Sequence, residues 1–106
     1  MLLGLDFDGT LLRSDETVSP RTRDALRAAR DAGWLVVGAT GRPPLLAKMV
    51  TAGLDELTHV VTNNGSLTVD AVTDEIVRQI TCSKTDAQWA GAMVRDTISD
   101  LSLIHI

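Results

Sequence analysis

The sequence predicts an α/β protein with a Rossmann-like three-layer core and a parallel sheet, followed by a segment of different construction. Two observations in its 106 residues lead to this prediction. Short apolar runs alternate with longer amphipathic segments, and the order strand–helix–strand–helix–strand implies parallel strands joined by right-handed crossovers. After residue 64 the pattern changes to alternating apolar and polar residues, which indicates a hairpin and then one more helix.

The first strand and the first helix are predicted from an apolar run and two helix-boundary signals. Residues 2–5 form a short apolar run of the kind found in buried strands. Ser19-Pro20 is typical of an N-cap followed by proline at the first helical position, and Gly33 is typical of a helix end, so we expect a helix over about 20–32. Acidic residues interleave with the arginines of this helix, which favours a solvated face over a phosphate-binding patch. These arginines are Arg21, Arg23, Arg27 and Arg30.

The second and third strands are predicted to lie on either side of a second helix. Residues 34–39 form another apolar run, which leads into a polar loop at residues 40–42. Pro43-Pro44 favours the first turn of a helix that stops at Gly53. Residues 58–62 form the third strand, which ends in polar residues at 63–65.

The segment from residue 65 onward is predicted to be a hairpin followed by a helix. Residues 67–71 alternate apolar and polar side chains, and residues 76–81 form the return strand. A capping box at residues 83–86 begins a helix on which we expect Trp89 and Met93 to be core residues. The apolar face of this helix consists of Ala90, Met93, Val94 and Ile98. We therefore predict two units, residues 1–64 and residues 65–106.

Composition argues against several classes of function. Ten basic and fourteen acidic residues give a net charge of −4, which disfavours a surface for nucleic acid or for an anionic membrane. The longest apolar stretch, around residues 34–37, is much shorter than the ~20 residues of a membrane span. The N-terminus lacks the basic region of a signal peptide. Cys82 is the one cysteine and cannot form an internal disulfide, so we expect a cytoplasmic protein.

Polar side chains follow each of the three parallel strands at the point where the strand ends. Asp6 and Asp8 follow the first strand, Thr40 follows the second, and Asn63 and Asn64 follow the third. Ligands of open parallel sheets bind just beyond the carboxyl ends of the strands, and adjacent strands are about 5 Å apart. The sequence therefore predicts one pocket that these side chains share.

The residue types in this pocket favour phosphoryl transfer. Asp6 and Asp8 are two residues apart, so in an extended chain both carboxylates project to the same side. Such a pair can bind Mg²⁺ through oxygen, or one carboxylate can attack while the other moves protons. Thr40 precedes a helix, whose N-terminus suits a phosphoryl oxygen. The alternative is that Asp-x-Asp-Gly, with Gly9 allowing a sharp bend, only forms a turn.

The same motifs resemble those of a known family. Residues 6–12, with the sequence DFDGTLL, are similar to the first signature of the haloacid dehalogenase-like (HAD) superfamily of phosphohydrolases. Thr40-Gly41-Arg42 resembles the second signature. Asn64-Gly65 resembles the entry to the cap in the Cof-type sugar-phosphatase subfamily. The resemblance implies that residues 65–106 are the start of an α+β cap domain.

The resemblance also implies a mechanism. Asp6 would be the nucleophile that forms an aspartyl-phosphate, and Asp8 would protonate the leaving oxygen and later activate water. The Asp6 carboxylate and the Asp8 backbone carbonyl would bind Mg²⁺, while Thr40 and nearby N–H groups would hold the phosphoryl oxygens. Further residues implied at the substrate and phosphate site are Gly41, Arg42 and Asn64. The implied substrate is a small phosphorylated metabolite, above all a sugar phosphate.

The sequence departs from the family pattern in one respect. The family also uses a lysine and an acidic pair that follow the cap, whereas the lysines here are Lys48 in the second helix and Lys84 at the start of the third. We therefore expect an N-terminal piece of a larger enzyme, which by itself is inactive and marginally folded, with its first strand at an unpaired edge. In this piece the last helix would also lack a surface to pack on, which would expose Met93, Val94 and Ile98. Residues 101–106 resemble translated sequencing-adapter read-through more than a native terminus.

Two other functions stay open from the sequence. A phosphoacceptor module of the receiver type also combines a parallel sheet, an acidic cluster and a hydroxyl. Its phosphorylated aspartate ends the third strand, however, where this sequence has Asn63 and Asn64. The other alternative is a non-catalytic remnant that binds a metal or phosphate weakly, or nothing.

Overall fold

The computed structural model describes residues 1–97 and contains the predicted strands and helices. The elements are β1 (Leu2–Asp6), α1 (Pro20–Asp31), β2 (Leu35–Ala39), α2 (Pro44–Val50), β3 (His59–Thr62), a 3₁₀ turn (Asn63–Gly65), β4 (Leu67–Asp70), β5 (Ile76–Gln79) and α3 (Lys84–Thr97). No helix within the described residues is long and apolar enough to cross a membrane.

All five strands belong to one sheet, in the spatial order β1-β2-β3-β4-β5. β1, β2 and β3 are parallel, which confirms the predicted α/β class. β4 pairs antiparallel with β3, so the hairpin continues the core sheet, which is mixed. The predicted division between residues 64 and 65 falls between these two strands and stays a prediction. Within residues 1–97, β1 pairs with β2 alone and lies at an edge of the sheet.

The two helices of the parallel part pack on one face of the sheet. Leu26 of α1 and Ala47 of α2 lie in a buried cluster with Val36 and Val60 from the strands. Leu35, next to Val36 in β2, is 46% exposed, because successive side chains of a strand point to opposite faces. The helices thus fix the strands from one side and leave their carboxyl ends open.

Two of the four arginines of α1 bind a buried carboxylate, a contact that the predicted solvated face did not include. Arg27 Nη2 donates to Glu56 Oε1 at 2.7 Å, and Arg23 Nη2 lies 3.3 Å from Glu56 Oε2. Arg30 donates to the backbone oxygen of Asp55. The interleaved charges on the helix gave no sign of these contacts, because Glu56 reaches Arg27 from 29 residues further along the chain.

α3 forms where it is predicted, but its expected core positions are exposed. Asp86 N donates to Ser83 Oγ at 3.0 Å, so the predicted cap is present. Trp89 is 66% exposed, which overturns its prediction as a core residue, whereas Met93 is 49% exposed, as expected for this helix without a surface to pack on. An amphipathic pattern predicts the helix but does not supply the surface that it packs on. The predicted apolar position Ile98 and the suspected non-native tail at residues 101–106 lie outside the described residues.

Candidate active site

The loop after β1 presents Asp6 and Asp8 on either side of a buried anchor. Phe7 is fully buried, and its N–H donates to the backbone oxygen of Ala39 at 3.2 Å. Both aspartates are exposed, because alternate residues of an extended segment face opposite ways. Leu11 N donates to the Asp6 backbone oxygen at 3.0 Å, which folds the loop back onto β1. The two carboxylates therefore stand at the carboxyl end of β1, outside the core.

A left-handed glycine makes the sharp bend after the aspartate pair possible. Gly9 has a φ of 77°, which residues with a side chain rarely adopt. Two residues later the chain enters the core again, where Leu11 and Leu12 are buried. The bend thus keeps the loop short and holds the aspartates over the sheet edge.

Thr40 directly follows β2, and its hydroxyl lies in the loop formed by residues 40–42. Thr40 is 7% exposed, and its N–H donates to the backbone oxygen of Val61 at 2.9 Å. Its Oγ1 accepts a hydrogen bond from the N–H of Arg42 at 3.0 Å. The helix that follows begins at Pro44 with Pro43 as its N-cap, and proline has no N–H to donate. The loop at residues 40–42, more than the helix N-terminus, therefore supplies the polar groups nearest to Thr40.

The loop after β3 is joined directly to the loop after β2. Asn63 N donates to the Arg42 backbone oxygen at 3.0 Å, and Asn64 N donates to that of Thr40 at 3.3 Å. Asn63 and Asn64 have φ values of 49° and 54°, so both stand in the left-handed region. A Cβ at Gly41 would lie 2.6 Å from Asn64 Oδ1, so a larger residue at position 41 would displace the end of that side chain. The structure thus brings Asn64 against Gly41.

Arg42 connects the second loop to the first. Its Nη2 donates to Asp8 Oδ1 at 2.6 Å and its Nε to Asp8 Oδ2 at 3.3 Å, a two-point contact. The Arg42 hydrogen bond holds the pKa of the Asp8 carboxyl below its usual value. The hydrogen bonds to Asp8 and Glu16 raise the pKa of Arg42, so the guanidinium stays charged. In this structure Arg42 Nε and Nη2 both donate to carboxylates, and the predicted contact of Arg42 with substrate stays a prediction.

Glu16 is a residue at this site that sequence reasoning missed. Glu16 Oε1 accepts a hydrogen bond from Arg42 Nη2 at 2.7 Å. The residue lies eight positions beyond the aspartate pair, in a polar stretch that contains no recognisable motif. Only its left-handed φ of 62° sets it apart, and that angle cannot be read from the sequence.

The oxygen ligands at this edge fit Mg²⁺. Mg²⁺ is usually bound by one or two carboxylates and keeps several waters or substrate oxygens, which matches the exposed pair Asp6 and Asp8. Among residues 1–97, no three His, Cys, Asp or Glu side chains come together as a metal site. The described residues therefore do not suit a cation that needs a complete protein shell, such as structural zinc.

Comparison with known sequences gives matches over most of the chain. The profile of a family described as haloacid dehalogenase-like hydrolase matches residues 3–99. YxeH of Bacillus subtilis is 36% identical over 91 residues, which are 80% of this chain and 33% of that protein. The 5-amino-6-(5-phospho-D-ribitylamino)uracil phosphatase YcsE of the same organism is 37% identical over 65 residues, 61% of this chain and 26% of its own length.

Comparison with solved structures agrees with the sequence matches. A haloacid dehalogenase-like hydrolase from B. subtilis superimposes with a TM-score of 0.81 at 30% identity, over 91% of this chain and 33% of that one. The chain therefore spans about a third or less of the length of these relatives.

Proposed function

This chain belongs to the haloacid dehalogenase-like hydrolases, and on that premise we propose that the whole protein is a Mg²⁺-dependent phosphatase of small phosphorylated metabolites. The observation that carries the proposal is the meeting of three loops at one sheet edge. Asp8 reaches Arg42 of the second loop, and Asn64 reaches Thr40 and Gly41 from the third. Acidic, hydroxyl and amide groups thus converge beyond the carboxyl ends of β1, β2 and β3, where open α/β sheets bind ligands.

We assign the covalent chemistry to the two aspartates. The Asp6 carboxylate attacks phosphorus and displaces the alcohol oxygen of the substrate, while Asp8 gives a proton to that leaving oxygen. Water then attacks the aspartyl-phosphate, Asp8 takes its proton, and inorganic phosphate leaves as the bond to Asp6 breaks. Burial of Phe7 between the two aspartates holds the loop that carries them, so their geometry is set before substrate arrives.

The proposal gives the other loop residues the task of holding the phosphoryl group. Thr40 and nearby backbone N–H groups, above all that of Gly41, would bind phosphoryl oxygens, with Arg42 and Asn64 beside them. Asp6 and the Asp8 backbone carbonyl would hold Mg²⁺, which when bound neutralises charge on the phosphoryl oxygens. Members of the family are generally metal-dependent, and Mg²⁺ is the metal that we propose.

We propose sugar phosphates and related polyol phosphates as the substrate class, and assign the protein to the Cof-type subfamily and to the cytoplasm. Two observations support the substrate class: the Asn64-Gly65 entry to the hairpin, and the relative YcsE, which is named for a phosphorylated ribitylamino compound. The net charge of −4 supports a small-molecule partner over a nucleic acid. In this proposal residues 65–106 begin the cap that meets the alcohol part of the substrate.

The test is hydrolysis of p-nitrophenyl phosphate and of a sugar phosphate by the complete protein, with Mg²⁺ and with EDTA. Asp6→Asn should lower the rate at least about 10³-fold, since it removes the nucleophile. Asp31→Asn, at the exposed C-terminal end of α1, is the matched control and should keep full activity. Residues 1–106 alone should show no turnover. Undiminished activity of Asp6→Asn would refute the nucleophile, and absence of turnover in the complete protein would favour a receiver-like module or a non-catalytic remnant.

A further inference from the structure

Glu16 contacts the site but has no task in the proposed mechanism. One nitrogen, Arg42 Nη2, donates both to Glu16 Oε1 at 2.7 Å and to Asp8 Oδ1 at 2.6 Å. The guanidinium is therefore shared between two carboxylates of the loop that follows β1. The Arg42 side chain is 23% exposed, whereas the two carboxylates are mostly exposed.

The turn that carries Glu16 is held firmly by its own hydrogen bonds. Glu16 N donates to the Arg13 backbone oxygen at 2.9 Å, and Arg13 N donates to the Thr17 backbone oxygen at 2.8 Å. Asp15 Oδ1 accepts hydrogen bonds from the N–H and the hydroxyl of Thr17. Glu16 is thus presented to Arg42 from a rigid turn.

The backbone of this turn does not favour glutamate at position 16. A φ of 62° suits glycine, asparagine or aspartate better than a longer side chain. Glu16 keeps this disfavoured conformation while its side chain contacts Arg42. Strained residues cluster at functional sites, so we infer that the Glu16 side chain has a function there.

We derive the function of the Glu16 side chain from the mobility that Arg42 would have without it. A long side chain with several rotamers loses most of its alternatives only when it is held from more than one side. Glu16 holds Nη2 from one side, while Nε and Nη2 form the two-point contact with Asp8. Without Glu16, the guanidinium and the exposed Asp8 carboxylate that it orients would both sample other positions.

We propose that Glu16 is a positioning residue: it anchors Arg42, which holds the Asp8 carboxylate in the place where it receives a proton from the attacking water. This inference rests on the proposed function. In the step concerned, water oxygen bonds to phosphorus, Asp8 takes the water proton, and the bond from phosphorus to Asp6 breaks. Glu16 itself exchanges no proton and does not touch the substrate.

The proposal predicts a particular kinetic signature in the complete protein with Mg²⁺. Formation of the aspartyl-phosphate from p-nitrophenyl phosphate needs little help from an acid, because nitrophenolate is a good leaving group. Its hydrolysis needs Asp8. Glu16→Gln should therefore lower kcat about 10-fold, a fraction of the 10²–10⁴-fold typical of a general base, and lower KM in parallel, leaving kcat/KM unchanged. A burst of nitrophenolate, equal to the enzyme present, should precede the slow phase.

Two further variants separate positioning from folding. Glu16→Gly removes the carboxylate but relieves the left-handed backbone, so it should give the same burst with an unchanged or higher Tm. Glu75→Gln, in the exposed turn between β4 and β5, is the matched control and should behave like the wild type. The inference is overturned if the wild type turns over and Glu16→Gln keeps full kcat, or loses kcat/KM without a burst. A wild type that hydrolyses no phosphate ester would instead overturn the proposed function.

Discussion

Two parts of this chain carry similar local signals and have very different environments. α1 and α3 both begin with a serine that caps the helix, Ser19 accepting from Thr22 N at 3.1 Å and Ser83 from Asp86 N at 3.0 Å. All the buried side chains of the described chain lie in residues 1–62, and none lies in residues 63–97. Capping and amphipathic spacing are sufficient for a helix, whereas burial needs a second surface at the right place.

The largest expected contrast between the two parts is in the cost of removing an aromatic ring. Phe7→Ala empties a fully buried site and should lower the free energy of unfolding by about 3–5 kcal/mol. Trp89→Ala removes a ring that is 66% exposed and should change it by less than about 0.5 kcal/mol. In residues 1–106, which we expect to be marginally folded, urea denaturation should show no folded state for Phe7→Ala and an unchanged midpoint for Trp89→Ala.

The same pair of variants in the complete protein extends this comparison. If Trp89→Ala costs several kcal/mol there but not in residues 1–106, residues of the complete protein outside 1–106 pack on α3. An equal and large cost in residues 1–106 would instead contradict the exposure of Trp89.

A second contrast uses the addition of one methyl group at two glycines. A Cβ at Gly38 in β2 would overlap the buried Phe7 ring, so Gly38→Ala should destabilise the protein by about 3 kcal/mol. A Cβ at Gly91 in α3 meets no atom within 4 Å, so Gly91→Ala should stabilise the helix by up to about 1 kcal/mol. Thermal unfolding followed by circular dichroism should therefore show Tm shifts of opposite sign, and shifts of the same sign would refute the difference in packing.

The third and smallest contrast concerns Glu56, a buried carboxylate of the parallel part. Glu56 is 1% exposed. Burial acts to raise the pKa of its carboxyl, but hydrogen bonds from Arg23 and Arg27 outweigh this and hold the pKa below its ordinary value of 4.5. Glu56→Gln should cost about 2 kcal/mol near pH 7, the size of hydrogen bonds to a charged group.

The pH dependence of this variant tests whether the Glu56 carboxylate stabilises the fold in its charged form. Because the folded pKa of Glu56 is lowered, its contribution is present above pH 4.5 and is lost as the pH falls through the folded pKa. The stability difference between wild type and Glu56→Gln should therefore shrink on acidification below pH 4.5, as measured by urea denaturation at several pH values. A difference that grows on acidification would contradict the ion pairs. Asp86→Asn in α3, whose carboxylate is exposed, serves as the comparison.

Much of the fold and part of the candidate site could be predicted from the sequence. Apolar runs and helix-boundary residues such as Ser19-Pro20 predicted the strands and helices, because these signals act over a few residues. The order of elements predicted the parallel pairing of β1, β2 and β3. The roles of Asp6, Asp8 and Thr40 stay predictions, made from a short motif and from their position after strands.

Other features depended on contacts between distant residues. The contact of Glu16 with Arg42 and the ion pairs of Glu56 could not be read from neighbouring residues, since their partners lie 26 and 29 residues away. The exposure of Trp89 was missed for the opposite reason, because a local pattern was taken to imply a distant surface.

The sequence by itself determined the elements, their order and the polar residues that follow each strand, because these depend on local geometry and on the chemistry of single side chains. Only the tertiary structure decided which charges meet. Arg42 could have faced solvent or substrate, yet it lies between Asp8 and Glu16. Long flexible side chains choose partners by proximity in space, and that proximity exists only once the three loops are brought to the same edge of the sheet.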